Sequence, residues 1–390
     1  MKLPRIGLLT RILIAIALGI GLGLVSPDLP VRIFVTFNGL FSQFLGFLIP
    51  LIIVGLVTPA IADIGRGAGR MLLLTVVLAY SATLLSGFMS YGVSQTFFPN
   101  LIEHNIALET ISENTTTLPF FTISIPEPMN VMTALVMAFT LGLGIAHLTT
   151  DSLKRVACDF RDIIVKTIQV VILPLLPIYI FGIFFNMAHS GQVFQVLLVF
   201  VKIIGVIFVM HIGLLVLQYM VAGSISHQNP FKLLKNMLPA YFTALGTQSS
   251  AATIPITMRQ TIQNGVKPDI AGFVIPLCAT IHLSGSTMKI VMCAIALMMM
   301  QGIPYDFQQI AGFICMLGVT MVAAPGVPGG AIMASLGVLS SMLGFGENDQ
   351  ALMIALYIAM DSFGTACNVT GDGALAVIIN RLGKIEHRNH

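Results

Sequence analysis

Near the carboxyl end of the chain, an apolar run that begins near Ala351 leads into Asp361-Ser-Phe-Gly-Thr-Ala-Cys-Asn-Val-Thr-Gly-Asp372. At about 100° per residue, one helical stripe collects the residues at offsets 0, 4, 7 and 11, namely Asp361, Thr365, Asn368 and Asp372. A charge at the centre of a bilayer costs roughly 2.5–3.5 kcal/mol on insertion scales. Two carboxylates on one face of a membrane helix therefore predict a cation or a cationic ligand as their partner.

The composition is that of a membrane protein. Of 390 residues, 56% are hydrophobic and 9% are charged, and the mean hydropathy is +0.94. About a quarter of the residues in a soluble domain are charged. Because the apolar segments are long and continuous instead of short and alternating, we predict an all-α polytopic membrane protein and not a β-barrel. The five cysteines lack metal-ligand spacing and mostly lie in apolar runs, so they are expected to be buried free thiols, and no nucleic-acid-binding module is present.

Eight apolar runs are near or above the roughly 20 residues that span a bilayer. They lie near 8–26, 33–62, 70–98, 129–149, 163–187, 194–222, 269–301 and 351–381. The first run could imitate a signal peptide, but the next segment is also membranous, which favours a retained first helix.

Two further segments are interrupted by Gly, Pro and Ser residues. Asn236–Ile262 is broken at 246–253, and Ile310–Leu343 is broken at 323–330. Each arm of about ten residues reaches only about 15 Å, or half a bilayer. These segments predict two re-entrant helical hairpins, and the alternative is a pair of ordinary spans with a loop between them. Interrupted segments in corresponding positions indicate inverted repeats around a transport site.

Charge placement predicts the orientation. If the first hairpin opens from the cytoplasm and the second from outside, all but three of the 19 basic residues face the cytoplasm, the exceptions being Arg32, Lys202 and Lys289. The segment 99–130 carries four glutamates and no Lys or Arg, so we expect it outside. By the positive-inside rule, the chain is expected in the cell (inner) membrane with both termini cytoplasmic.

The run Pro276–Ser286 places polar residues in the middle of a span. Gly285, between two serines, can break the helix and free carbonyls that suit Na⁺, although a Ser-rich helix contact is the alternative. Lys289 must find an anion, lose its proton or reach the interface. We expect it to pair with Asp361 or Asp372 and to occupy space that a metal cation would otherwise fill.

The first hairpin tip, Thr247-Gln-Ser-Ser250, offers hydroxyls and backbone N–H groups that suit a carboxylate. No His or Asp lies nearby in sequence to activate a serine, so an enzyme is disfavoured. An ion channel on the same scaffold is a competing class, and it predicts conductance without saturable uptake.

At these residues the chain resembles the dicarboxylate/amino acid:cation symporter family, the excitatory amino acid transporter fold. The matching motifs are Asn368-Val-Thr-Gly-Asp372, the second tip Gly326-Val-Pro-Gly329, the first tip 247–253 and the run Pro276–Ser286. The resemblance is specific over about residues 230–384 and rests mainly on hydropathy before that.

The resemblance implies a homotrimer that works as an elevator. Its scaffold domain would hold residues 1–69 and 99–193. Its transport domain would hold residues 70–98 and 194–390, including hairpins near 236–262 and 310–343. Eight transmembrane helices plus two re-entrant hairpins in inverted repeats complete the expected fold.

The resemblance also implies residue roles. Asp361 would take a substrate ammonium, Asn368 its carboxylate or a nearby ion shell, and the two tips would hold the carboxylate and gate the site. The implied substrate site comprises Ser249, Ser250, Gly326, Val327, Pro328, Asp361, Thr365 and Asn368. The implied first sodium site comprises Asp372 and Asn368, and the second comprises carbonyls around Thr280, Leu283, Val322 and Ala324.

Departures from the family pattern bear on the substrate. Acidic-substrate members carry an arginine three residues after the ammonium-binding aspartate, and this chain has Gly364 at that position. Some members instead carry an arginine in the first hairpin tip, where this chain has Gln248. Desolvating an unpaired carboxylate is costly, so a small neutral amino acid such as serine, threonine, alanine or cysteine is expected. A dicarboxylate is the alternative.

Other departures bear on coupling. The family segment Asn-Met-Asp-Gly-Thr reads His282-Leu-Ser-Gly-Ser286, so its aspartate is Ser284, and a tyrosine after it aligns with Lys289. The hydroxyl pair of the third helix aligns with Leu78 and Ala79, which argues against a third sodium site. We expect a secondary active transporter coupled to Na⁺ through Asp372. The alternatives are proton coupling through His282 or Lys289, and ion-independent exchange.

Overall fold

The computed structural model describes residues 7–66, 70–102, 117–191, 193–326 and 328–386. Its helices, with a π-helical turn at Ile168–Ile172, are α1 (Leu8–Gly23), α2 (Asp28–Arg66), α3 (Arg70–Leu101), α4 (Val131–His147), α5 (Ser152–Thr167), α6 (Leu173–His189), α7 (Val193–Ser226), α8 (Pro230–Asn236), α9 (Leu238–Thr247), α10 (Ser250–Gln263), α11 (Pro268–Ile281), α12 (Ser284–Met300), α13 (Phe307–Val322), α14 (Gly330–Leu343), α15 (Glu347–Ala359) and α16 (Asp361–Glu386). The all-helical prediction is confirmed for these residues. Val327 and most of the loop after α3 lie outside them.

Five segments of the described chain are long and apolar enough to cross a membrane: Asp28–Asp63, Met71–Leu101, Ser152–His189, Val196–Ser226 and Pro268–Met300. A sixth is the pair α15 and α16, which bends by 63° at Met360. The predicted count of eight also needs α1 and α4, which have 16 and 17 residues. The count of eight therefore stays a prediction.

The packing divides the helices into two groups. In the first group, α2 packs against α4, α5 and α6, and α1 packs along α6. In the second group, α16 packs against α7, α9, α10, α11 and α12, and α3 packs along α12 and α13. In the segment Pro268–Met300, 94% of the most apolar 18-residue stretch is buried. The corresponding buried share in the other four single spans is 33–61%. The helices α11 and α12 therefore form the centre of the second group.

Each interrupted segment is a pair of short helices that pack against each other. The pair α9–α10, here called hairpin A, turns at Gln248, whose φ of 54° is left-handed, and Ser249 caps α10 by accepting from Ala252 N. The pair α13–α14, here called hairpin B, turns over residues 323–329 and ends at Gly329 with φ 72°. Each helix has 10 to 16 residues, too short to cross a bilayer of about 30 Å unaided.

Candidate functional site

The polar stripe lies on α16 and is buried. Asp361, Thr365, Asn368 and Asp372 are all at most 6% exposed. The apolar run before them is not one straight helix, because α15 ends at Ala359 and α16 begins at Asp361. Asp361 therefore lies in the first turn of α16, where the helix dipole stabilises a negative charge.

Lys289 is the cation beside Asp361. Its Nζ lies 3.3 Å from Asp361 Oδ1, 3.4 Å from the Met360 carbonyl oxygen and 3.6 Å from the centroid of the Tyr357 ring. The other carboxylate oxygen, Oδ2, accepts from Gly329 N at 2.8 Å. The expected pairing of Lys289 with a deep carboxylate is thus present, and its partner is Asp361. The Lys289 side chain is 0% exposed in the single chain, so it does not extend to the surface of the protein.

Gly364 leaves the space that Lys289 fills. A Cβ built on Gly364 would overlap the end of the Lys289 side chain. The position where acidic-substrate members carry an arginine is therefore occupied by an ammonium that arrives from α12. This corrects the premise that the site lacks a cation for a second carboxylate. Family members carry that cation on the last helix or at the first hairpin tip, whereas here the cation is Lys289, which lies across the helix interface on α12.

The break in the central span lies at His282-Leu283, between α11 and α12, and not at Gly285 as expected. Gly285 instead permits close packing, because a Cβ there would stand 2.8 Å from Cys367 Cβ and 2.8 Å from the Gly364 carbonyl oxygen. Asn368 on α16 caps the amino end of α12. Its Oδ1 accepts from Gly285 N at 2.8 Å and from Ser286 N at 3.3 Å.

His282 lies against the second carboxylate of the stripe. Its Nδ1 is 2.8 Å from Asp372 Oδ1, and the two side chains are 0% and 1% exposed. The predicted first sodium ligands therefore already have partners within the chain: Asp372 has His282, and Asn368 has the amino end of α12. Among the described residues, no three His, Cys, Asp or Glu side chains converge on a metal-sized site.

The two hairpin tips touch above Asp361. Ser249 Oγ donates to the Gly326 carbonyl oxygen at 2.9 Å, and Gln248 Nε2 donates to Ser362 Oγ at 2.8 Å. Ser250 is buried in the first turn of α10. The tips thus bring together Ser249, Gly326 and, through Gly329 N, Asp361. Pro328 lies in the turn of hairpin B beside Val327, which is outside the described residues.

Three of the four predicted carbonyl ligands line one cavity of about 280 Å³: Thr280, Val322 and Ala324. The helices α11 and α13 both end at this cavity, at Ile281 and Val322. The last carbonyls of a helix have no intrahelical partner and carry the negative end of its dipole. Two such ends suit a hard cation. Leu283 is not part of the cavity lining and lies in the break before α12.

The structure adds polar residues that sequence reasoning missed. Ser86 on α3 donates to the Ser284 carbonyl oxygen, at the first residue of α12. On α7, His211 Nε2 lies 3.0 Å from the Gly285 carbonyl oxygen, and Gln218 Nε2 donates to Ser284 Oγ. The seven-residue spacing of His211 and Gln218 on an apolar helix was the available signal.

Known proteins resemble this chain over nearly its whole length. The serine/threonine transporter SstT of Acinetobacter baumannii is 28% identical over 385 residues, which are 94% of this chain and 95% of that protein. The serine/threonine transporter SstT of Acinetobacter baylyi is 26% identical over 412 residues, covering 98% and 99%. Human excitatory amino acid transporter 2 is 32% identical over 163 residues, which are 42% of this chain and 28% of that protein.

The family model of the sodium:dicarboxylate symporters matches residues 8–382. That range holds both hairpins, the broken central span and the polar stripe of α16. Members of this family are membrane transporters and not enzymes, and the apolar helices agree with an integral membrane protein. The chain belongs to the sodium:dicarboxylate symporter family.

Proposed function

We propose that this chain is a secondary active symporter that moves a small amino acid without a side-chain carboxylate, coupled to Na⁺, by elevator-type alternating access. The observation that carries the proposal is the closure of two hairpin tips over a buried carboxylate. Ser249 Oγ contacts the Gly326 carbonyl oxygen, and Gly329 N donates to Asp361 Oδ2. A solute that reaches Asp361 must pass between these tips.

The first candidate substrate is a small neutral amino acid such as serine or threonine. Its ammonium would join Asp361, its carboxylate would meet the backbone N–H groups and hydroxyls at the tips, and Thr365 lies one turn further along α16. The relatives named serine/threonine transporters support this choice over nearly the full chain. A small substrate also fits a site whose two tips already touch.

Lys289 favours a second candidate, a dicarboxylate. Its ammonium lies 3.3 Å from Asp361 Oδ1, where the ammonium of an amino acid would bind. The same ammonium stands beside Gly364, where an arginine would meet a second carboxylate. A substrate with two carboxylates and no ammonium would use Lys289 as its cation and would leave the Lys289–Asp361 pair in place.

Na⁺ is proposed as the coupling ion, with the helix ends around Thr280, Val322 and Ala324 as its site. Backbone carbonyls at unwound or terminated helices coordinate Na⁺ in transporters of this kind. Proton coupling through His282, Lys289 and Ser284 is the alternative. A Na⁺ gradient that drives uptake at constant pH supports the first, and a pH gradient that drives uptake without Na⁺ supports the second.

The proposed assembly is a homotrimer in the inner membrane with both termini cytoplasmic. The group α1, α2, α4, α5 and α6 would be its scaffold, and the group around α11, α12 and α16 would carry the substrate. Light scattering of the purified protein tests the trimer. A monomeric mass in several mild detergents contradicts it.

A ligand screen tests the function. The chain has no tryptophan, but it has buried free thiols at Cys278, Cys293 and Cys367, whose exposure on heating a thiol-reactive dye reports. The panel holds serine, threonine, alanine, aspartate, succinate and malate, in NaCl and in choline chloride. A ligand at a hundred-fold excess over Kd stabilises the fold by about 2.7 kcal/mol.

We expect serine or threonine to stabilise the protein in Na⁺, and Asp361→Asn to abolish that effect. Stabilisation by succinate alone selects the dicarboxylate. Binding is followed by uptake of the same ligand into proteoliposomes. Conductance without saturable uptake would select a channel and reject the proposal.

A further inference from the structure

Asp372 is the second carboxylate of the α16 stripe, and it lies against a histidine. We propose that His282 is a resident hydrogen-bond donor that fills the place of a metal cation at Asp372, so that no coupling cation binds this carboxylate. The inference rests on the proposed function only in taking Na⁺ as the ion to test. The carbonyl site at Thr280, Val322 and Ala324 stays available.

The contact places a hydrogen-bond donor where a cation would approach Asp372 Oδ1. An ionised carboxylate has acceptors only, so His282 Nδ1 carries the proton that points at Asp372 Oδ1 across 2.8 Å. This proton occupies the coordination position that Na⁺ would need on that oxygen. With Asp372 ionised, the argument holds for a charged imidazole and for a neutral one, because the carboxylate selects the tautomer that carries its proton on Nδ1.

The backbone conformation at His282 and the absence of a side chain at Gly371 leave space for the imidazole ring. His282 lies in the break between α11 and α12, with φ −106° and ψ 95°, so its side chain is not directed by a helix. Gly371, the residue before Asp372, provides the space. A Cβ on Gly371 would stand 2.8 Å from His282 Cε1 and 2.6 Å from Gln218 Oε1.

A second polar side chain, Gln218, lies close to the imidazole ring. His282 Nε2 and Gln218 Oε1 are both buried, and neither has a hydrogen-bond partner within the described part of the chain. Both side chains border the same glycine, Gly371. Gln218 is held there because its Nε2 donates to Ser284 Oγ at 3.3 Å. The ring thus contacts a carboxylate and has an amide nearby, which is a site for a polar ring and not for a packed apolar one.

Asn368 is the other residue of α16 that was expected to bind a cation, and it also has hydrogen-bond partners within the chain. Asn368 Oδ1 accepts from Gly285 N and Ser286 N, and its Nδ2 donates to Ser286 Oγ at 3.0 Å. Lys289 pairs with Asp361 in the same manner as His282 with Asp372. Both carboxylates of the stripe therefore have donors from the α11–α12 segment, and the stripe needs no bound cation to be satisfied.

The test titrates NaCl against choline chloride at constant total salt and follows the unfolding temperature of the full-length protein. His282→Asn replaces the donor by an amide whose oxygen can face a cation. We expect this variant to gain a saturable Na⁺-dependent rise beyond that of the wild type, and His282→Asn/Asp372→Asn to lose the gain. His211→Asn, the same change at another buried histidine beside Gly285, is the matched control and should gain nothing.

The outcomes separate this inference from the proposed coupling ion. A wild-type Na⁺ response that weakens tenfold or more in Asp372→Asn overturns the inference, because asparagine keeps an acceptor for His282 and loses only the charge. A folded His282→Asn protein that titrates as the wild type does also overturns it. A wild type without any Na⁺ response, with a gain in His282→Asn, supports the inference and rejects Na⁺ coupling. If His282→Asn does not fold, the inference is tested by the Na⁺ titration of Asp372→Asn against the wild type.

Discussion

At the scale of single residues, the site is organised by the partners of two buried carboxylates. Asp361 and Asp372 cannot stay ionised in an apolar bundle without donors, since an unpaired buried charge costs several kcal/mol. Lys289 and Gly329 N serve Asp361, and His282 serves Asp372. The chemistry of the stripe is therefore set by residues that lie on other helices.

Lys289→Met should destabilise the protein, because it leaves Asp361 buried beside one backbone donor. Breaking a buried pair from one side costs about 3–5 kcal/mol. The double variant Lys289→Met/Asp361→Asn should recover most of that loss, since it removes the unpaired charge. The unfolding temperature of both variants, measured with the thiol-reactive dye, checks this. Equal stability of Lys289→Met and wild type would show that the pair contributes nothing.

At the scale of elements, close approach of α12 and α16 places donors within reach of the stripe. Gly285 and Gly364 remove the Cβ atoms that would hold the helices apart, and Asn368 caps α12 at the point of contact. The break before α12 also frees the carbonyls at the end of α11. Small residues at a membrane helix interface permit packing of this kind.

Gly285→Ala should destabilise the protein by about 1–3 kcal/mol, the usual cost of overpacking a core. Its Cβ would meet the Gly364 carbonyl oxygen, which is backbone and cannot turn away. The control is Gly205→Ala on α7, where a Cβ meets nothing within 4 Å. Far-UV circular dichroism melts compare the two. Because alanine favours a helix more than glycine does, the control should lose no stability, and a loss of the same size in both variants would show that the close approach at Gly285 is not the cause.

At the scale of the whole molecule, the two hairpins, the broken span and α16 form one packed group, and α1, α2, α4, α5 and α6 form the other. A cavity of about 280 Å³ lies between α2 and α5 on one side and α11 and α13 on the other. A division of this kind agrees with an elevator, in which one group slides past the other with its site intact. Under the proposed elevator, the tips of hairpins A and B would be the gate.

A cross-link between the tips should lock that gate. Ser249→Cys and Gly326→Cys are placed in a background of Cys158→Ser and Cys315→Ser, because those two thiols are not buried. We expect a short thiol cross-linker to block uptake into proteoliposomes. The single Ser249→Cys variant, treated alike, should keep its uptake. Full uptake by the cross-linked double variant would mean that the solute does not pass between the tips.

Local patterns in the sequence were sufficient for the class of fold and for the pieces of the site. Continuous apolar runs predicted the helices, short arms around Gly and Pro predicted the two pairs of short helices, and a spacing of 4, 7 and 11 predicted that the stripe shares one face, which is buried. The motif Asn368–Asp372 pointed to the family that the comparisons show. These features depend on neighbours within one or two turns, which the sequence displays directly.

Only the tertiary structure decided which residues meet across helices. Lys289 pairs with Asp361 and not with Asp372, the break lies at His282 and not at Gly285, and Ser86 on α3 donates to the Ser284 carbonyl oxygen. Contacts between residues 70 or more positions apart depend on the rotation and depth of each helix against its neighbours. A single sequence carries no local record of that register, because it is fixed by the packing of all the helices together.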